Sequence, residues 1–145
     1  MTIKDLHDNV RTKTVVIPKL INTPATHAGL VIDRQGYGGV EFLIAYGSIT
    51  TTGTVVAVVV KEGDVTGTLT SVADADLLGT EALAGLAAAT PRSAGTTKEV
   101  TKRVGYKGNK RYVSVDLVNS GVTSAAMFGC MALLHSPYNA PTANP

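Results

Sequence analysis

A run of β-branched residues, TVVAVVVKEGD at 54–64, constrains the fold more than any other stretch of the chain. Valine and threonine lose side-chain freedom in a helix and pack well on a pleated strand, so this run predicts a central strand. The composition extends the same preference to the whole chain, because 19 of the 145 residues are threonine, 18 are valine and 15 are glycine. We therefore expect strands joined by tight turns rather than long helices.

The stretch VEFLIAYGS, residues 40–48, alternates as a strand does, but both of its faces are largely apolar. One face begins with Val40 and Phe42, and the other includes Leu43 and Ala45. A strand of this kind suits the interior of a sandwich or an interface.

Strand signals at short spacing predict an all-β fold, a single-domain β-sandwich or barrel of about seven strands. The length of 145 residues suits one domain with a real core. Besides the two strands above, strands are predicted at 15–18 (ended by Pro18), 27–33, 98–106, 111–118 and 125–136, and a short helix is possible at 81–89 before Pro91.

Both ends of the chain predict extended arms. The N-terminal residues are polar and mixed in charge, and the C-terminal segment contains Pro137, Pro141 and Pro145. The predicted organisation is an N-terminal arm over 1–18, a β-sandwich or barrel core over 19–136 and a proline-rich C-terminal arm over 137–145.

The stretch VGYKGNKRYVSVDL at 104–117 combines positive charge with strand-like alternation. We predict a hairpin of 98–106 and 111–118, with Gly108 and Asn109 at the central positions of a type II′ turn. Nucleic acid, a protein partner or solvent could each face this tip. Between residues 98 and 111 the only acid is Glu99, against six cations: Lys98, Lys102, Arg103, Lys107, Lys110 and Arg111.

The preceding segment, 61–97, is acidic, with five carboxylates against Lys61 and Arg92. This complementarity predicts one of two arrangements: one copy's acidic loop meets the next copy's basic hairpin, or the charges neutralise each other within one fold. The net charge of +2 is small for a dedicated nucleic-acid binder. Charged residues make up 17% of the chain, below the usual share of about 25%, which favours assembly with a partner.

No pattern indicates catalysis, a cofactor or a metal centre. His7, His27 and His135 are far apart in the sequence, and Cys130 lies alone in an apolar run. The acidic DAD at 74–76 lacks the spacing of a calcium loop. We expect no signal peptide and no membrane span, because no apolar run reaches the roughly 18 residues that a span requires.

Four stretches, in their order and spacing, resemble a small structural protein encoded in the head gene cluster of tailed bacteriophages: VIDRQGYGGVEFLIAYGSIT, VADADLLGTEA, VGYKGNKRYVSVDLV and ALLHSPYNAPT. The resemblance extends over residues 27–142. Such proteins are similar in size and context to capsid decoration (cement) proteins, which sit on the outer shell and bridge capsomers.

The resemblance implies a non-enzymatic virion protein that decorates and stabilises the capsid by binding the major capsid protein. It would be made in the bacterial host cytoplasm and lie on the outer capsid surface, as a homo-oligomer such as a trimer or dimer. Alternatives are a head–tail connector or tail structural protein and, from another class, a small nucleic-acid-binding β-barrel; an enzyme is the least favoured reading. Partner contacts are predicted at Arg11, Lys13, Lys102, Arg103, Lys107, Asn109, Lys110, Arg111 and Tyr138.

Overall fold

Two antiparallel sheets pack face to face in the computed structural model, which describes residues 5–87, 99–140 and 142. The first sheet has the strand order β1 (Val10–Ile21), β10 (Ala126–Pro137), β4 (Tyr37–Ile49), β8 (Val100–Tyr106) and β7 (Leu77–Leu78). The second has the order β2 (Ala25–His27), β9 (Tyr112–Ser120), β5 (Val55–Gly63) and β6 (Thr70–Ser71), and β3 (Ile32–Asp33) also pairs with β9. The predicted all-β fold is confirmed as a sandwich, and of the ten strands in the described residues six are seven residues or longer.

The core lies between the sheets and follows the period-two pattern of the sequence. In the first sheet, alternate residues of β4 and β10, such as Phe42, Ile44 and Leu134, point into the core and are fully buried. In the second sheet, Val60 of β5 and Val115 of β9 point into the same core and are fully buried. This alternation arises because successive side chains of a strand point to opposite faces of its sheet.

The predicted hairpin of 98–106 and 111–118 is wrong. Strand β8 pairs with β4 and β7 in the first sheet, whereas β9 pairs with β5 in the second. Residues 107–111 therefore cross from one sheet to the other. The core-facing side of each strand is buried by the opposite sheet, so β8 and β9 lie in different sheets. If they paired with each other in one sheet, the other sheet would lack a strand and part of the core would stay uncovered.

The predicted type II′ turn is absent as well, because Gly108 does not have a positive φ. Glycine is needed at this position for a different reason: a Cβ here would lie 2.5 Å from the Tyr106 hydroxyl oxygen. The crossover, defined here as residues 107–111, therefore depends on the close approach of its backbone to a buried tyrosine.

The N-terminal arm predicted over 1–18 is wrong from residue 10 onward. Strand β1 pairs with β10 from Val10 to Ile21, and it buries Val15 and Val16. Pro18 does not end the strand, because β1 is the outermost strand of its sheet and an edge strand tolerates a residue without an N–H. The pairing instead shifts register on the N-terminal side of Lys19.

The C-terminal segment leaves regular structure after β10, which ends at Pro137. The backbone N–H of Tyr138 donates to the Gly36 carbonyl at 2.9 Å, and that of Thr142 donates to the Asp8 carbonyl at 2.8 Å. The described part of this segment thus contacts the body of the protein. Residues 1–4, 141 and 143–145, which complete the two predicted arms, lie outside the described residues.

Two smaller predictions were only partly correct. The strand at 27–33 divides into the ends of β2 and β3, because the Gly29 N–H and carbonyl bond the side chains of Asp116 and Ser114 instead of a neighbouring strand. The helix predicted at 81–89 is a single turn, α1 (Glu81–Ala84), and the last two residues of that prediction lie outside the described residues.

Candidate protein-interaction surfaces

The crossover holds three of the six cations that the sequence singled out, Lys107, Lys110 and Arg111, and the last two form ion pairs within the chain. Lys98 lies outside the described residues. The Lys110 ammonium lies 2.6 Å from Asp64. The Arg111 guanidinium holds Asp33 with two bonds, of 3.0 Å and 2.7 Å. Arg111 lowers the pKa of the Asp33 carboxyl because its hydrogen bonds favour the charged form. Neutralisation by the acidic segment within one fold, one of the two arrangements considered, therefore occurs at Lys110, whereas Arg111 is neutralised by Asp33, which lies outside that segment.

The other predicted contact residues of this region differ in how far they are engaged. Lys102 donates to the Gly85 carbonyl at 2.7 Å from a partly buried position. Arg103 is exposed on β8 and lies 3.7 Å from Glu41, a weak pair. Lys107 and Asn109 are exposed at the crossover. Whether any of them binds a partner stays a prediction.

Arg34 organises the crossover, a role that the sequence analysis did not predict. Its guanidinium donates to the carbonyls of Lys110 at 2.6 Å and Gly108 at 2.7 Å, and it lies 5.4 Å from the centre of the Tyr106 ring. The Tyr106 hydroxyl donates to Glu62 and accepts the Lys110 N–H at 3.0 Å. Burial and the bond to Glu62 raise the pKa of Tyr106 above its usual range. The partners are far apart in sequence, so no local pattern could reveal them.

Tyr138 and Arg111 come together at one end of the sandwich. They line an open hollow of about 250 Å³ with Arg34 and Tyr37. Tyr138 is 75% exposed, which leaves its ring available to a partner. Of the nine predicted contact residues, these two therefore share one site.

Arg11 and Lys13 lie on a different surface, along the outermost strand β1. They line a hollow of about 640 Å³ with Leu30 and Val31, which are both exposed. A second hollow, of about 340 Å³, continues along β1 past Leu30 as far as Lys19. We call the two hollows together, between β1 and residues 26–32, the β1 groove.

The outer face of the first sheet is apolar and exposed. Odd-numbered residues of β4 and β10 point away from the core because the even-numbered ones fill it. Leu43 lies opposite Met131, and Leu20 of β1 lies opposite Met127. Both methionines are 48% exposed. Two charged residues border this apolar surface, because Glu41 lies opposite Leu133 and Arg103 lies opposite Leu43. We call the apolar surface the outer face, formed by Leu20, Leu43, Ala45, Met127, Met131 and Leu133.

Within the described residues, no group of three or more histidine, cysteine or carboxylate side chains could hold a metal ion. The Cys130 thiol is buried, and burial raises its pKa to about 12. The acidic DAD sequence forms a 3-10 turn, Asp74–Asp76, before β7. None of the described helices is long and apolar enough to cross a membrane.

Comparison with known proteins identifies the fold. No protein-family model matches the chain, and no curated protein matches it. The phage PBSX exported protein XepA is similar in structure, at 14% sequence identity and a TM-score of 0.54; the match covers 92% of this chain and 40% of XepA. Two looser likenesses are a Bacillus endospore appendage pilus protein (14% identity, TM-score 0.43, 89% of each chain) and the infectious bursal disease virus VP2 subviral particle (10% identity, TM-score 0.42, 90% of this chain and 34% of that one). At these identities the likeness to XepA establishes a shared sandwich fold alone.

Proposed function

We propose that the chain is a non-enzymatic structural protein of a phage virion, which decorates and stabilises the capsid by binding the major capsid protein. The observation that carries the proposal is the exposed apolar outer face. A sheet face with Met127 and Met131 half exposed, and with the weak Glu41–Arg103 pair at its border, leaves apolar surface in water and is typical of an interaction surface.

The chemistry of the outer face suits a large, regular partner. Methionine and leucine side chains adapt to irregular surfaces, and a flat sheet face offers broad contact. A decoration protein is present in many copies on a repeating lattice, so each copy needs only modest affinity. The PBSX phage protein XepA has the same fold, which agrees with a phage setting for a sandwich of this kind.

The nucleic-acid alternative loses much of its support because of the ion pairs in the crossover. Of the three cations at the tip, Lys107, Lys110 and Arg111, the last two engage carboxylates of the same chain. Releasing them would cost those pairs before any phosphate is bound. A protein at the head–tail junction or in the tail would use the same surfaces. Its location on the particle distinguishes such a role from decoration.

The test combines location with a change in the outer face. Gold labelling of a tagged copy on purified particles, viewed by electron microscopy, is expected to mark the whole head surface. The double variant Leu43→Lys/Met131→Lys places two charges side by side on the outer face and is expected to abolish incorporation. Leu83→Lys is the matched control, because Leu83 is 71% exposed on α1, away from this face.

Two results would contradict the proposal. Label confined to the neck or tail would replace decoration with a connector or tail role. Normal incorporation of the double variant, with thermal stability equal to that of the control, would exclude the outer face as the capsid contact.

A further inference from the structure

The β1 groove has an unusual charge for a protein of small net charge. Its lining contains Arg11, Lys13 and Lys19 and no aspartate or glutamate. The nearest acid along the chain is Asp33, next to the lining residue Ile32. Arg111 bonds both of its oxygens, and the charge of Lys13 acts on it from a longer distance. The groove therefore offers three cations whose charges no lining residue neutralises.

Arg11 adds a second, independent observation. Its Nε is buried and has no hydrogen-bond partner among the described residues. A buried donor of a charged group is costly to leave unsatisfied, and a carboxylate is the acceptor that fits a guanidinium best. The groove is thus suited to an incoming carboxylate.

The backbone and apolar side chains of the groove favour an extended or ridge-like ligand. Strand β1 is the outermost strand of the first sheet, and among the described strands it pairs with β10 alone. Exposed Ile17, Leu30 and Val31 lie along it. An edge strand with apolar flanks is a frequent docking site for another chain.

A matching surface lies at the opposite edge of the same sheet. There the turn Asp74–Asp76 leads into β7, whose Leu78 is 50% exposed. The carboxylates of Asp74 and Asp76 make no ion pair or hydrogen bond with any residue that the structure describes. Residues 74–78 carry these two carboxylates and no cation. The nearby cations are Lys107, whose backbone N–H donates to the Asp76 carbonyl, and Arg103, which lines a hollow with Leu78 and lies 3.7 Å from Glu41. We call residues 74–78 the acidic edge.

We infer that the chain self-associates edge to edge, with the acidic edge of one copy seated in the β1 groove of the next. The Asp74 and Asp76 carboxylates pair with Arg11 and Lys13, and Leu78 packs on the exposed apolar residues of the groove. Because two different surfaces meet, the contact is head-to-tail. It builds a ring if the rotation that relates neighbouring copies closes on itself, and a filament if it does not. The inference goes beyond capsid binding and does not depend on it.

Charge reversal on each edge tests the inference with the isolated protein. Arg11→Glu/Lys13→Glu makes both edges acidic, and Asp74→Lys/Asp76→Lys makes both edges basic. The wild type is expected to exceed the 15.0 kDa protomer mass in light scattering coupled to size-exclusion chromatography, and to dissociate as salt is raised. Each double variant is expected to be monomeric, with self-association weakened by at least roughly tenfold.

Mixing supplies the decisive control. In an equal mixture, each reversed edge meets an edge of opposite charge on the other variant, so association is expected to return. The quadruple variant, which carries all four substitutions in one chain, keeps the net charge of the wild type and is expected to associate as the wild type does. If Arg11→Glu impairs folding, Lys13→Glu/Lys19→Glu makes the same change in the groove.

Three results would overturn the inference. These are a monomeric wild type at every concentration, normal association of either double variant, and a mixture that stays monomeric when both variants are folded. A monomeric wild type whose incorporation into particles still requires Arg11 and Lys13 would assign the groove to another virion protein. Failure of capsid binding would be seen by gold labelling and would leave the measured mass unchanged.

Discussion

Replacing Arg34 by methionine is the sharpest test of how the crossover is held. Methionine preserves most of the length and the apolar stem of the side chain while removing the guanidinium. The substitution removes two short bonds, to the carbonyls of Lys110 (2.6 Å) and Gly108 (2.7 Å), and two longer ones, to the carbonyls of Tyr37 (3.2 Å) and Gly38 (3.4 Å). It also removes the contact with the Tyr106 ring.

The expected loss follows from these contacts. A hydrogen bond from a charged donor contributes about 1.5–3 kcal/mol when buried, and the partial exposure of Arg34 puts its bonds at or below the lower end. A partly exposed contact between a guanidinium and an aromatic ring adds about 0.5–1 kcal/mol. We expect Arg34→Met to lower the free energy of unfolding by about 2–4 kcal/mol. Arg34→Lys should recover less than half, because an ammonium cannot bridge both carbonyls as the planar guanidinium does.

Urea denaturation measures this loss as a shift of the midpoint at unchanged slope. Arg103→Met is the matched control, since it removes an exposed guanidinium with one weak pair at 3.7 Å, and it should cost less than about 0.5 kcal/mol. Equal midpoints for Arg34→Met and Arg103→Met would refute the reasoning, because the crossover would then be held without Arg34.

Three further predictions concern buried groups. Burial raises the pKa of Tyr46 and Tyr106 above the value of about 10 that they have in the unfolded chain. The stability that these tyrosines contribute is therefore complete below a pH of about 10 and is lost as the pH rises through their folded pKa values. Alkaline titration followed by tyrosinate absorbance should find both ionising only as the protein unfolds, and early ionisation of all tyrosines would contradict this. Cys130, with its pKa raised to about 12, should react with thiol reagents only through unfolding, so its rate should rise with urea; a rate independent of urea would indicate an accessible thiol. Gly29→Ala should lower the free energy of unfolding by about 1–3 kcal/mol in urea denaturation, because its Cβ would lie 2.2 Å from a carbonyl oxygen of β9. Gly67→Ala is the control and should lower it little, because a Cβ there would have nothing within 4 Å. Equal losses for the two variants would contradict the argument.

Strands with strong alternation were predictable because their burial pattern is local. The β-branched run at 54–64 and the apolar run at 125–136 became β5 and β10 with small changes at their ends. The stretch 40–48 became part of β4, whose even-numbered residues pack in the interior of the sandwich as expected, and whether its other face forms an interface stays a prediction. Each of these features depends on the period of two within a single segment.

The pairing of strands could not be predicted in the same way. Neighbours in sequence pair only about two-thirds of the time, and nothing in KGNK distinguishes a tight hairpin from a crossover between sheets. Strand β1 was missed beyond Pro18 because a proline ends most strands, and the exception depends on its position at an edge. The partners of Arg34 and Arg111 depend on the same long-range arrangement.

The engagement of the crossover cations changes how the predicted contact residues should be tested. Lys110 and Arg111 tie the crossover to Asp64 and Asp33, so reversing their charges would place like charges side by side at both pairs. Loss of incorporation by such a variant would then reflect a displaced crossover as readily as a lost partner contact. Lys107→Glu changes the charge at the same site without breaking either pair. If the tip itself contacts a partner, this single variant should weaken incorporation at unchanged thermal stability; if incorporation is unaffected, the cations of the crossover act within the fold, and the contacts with other chains lie on the outer face and the β1 groove.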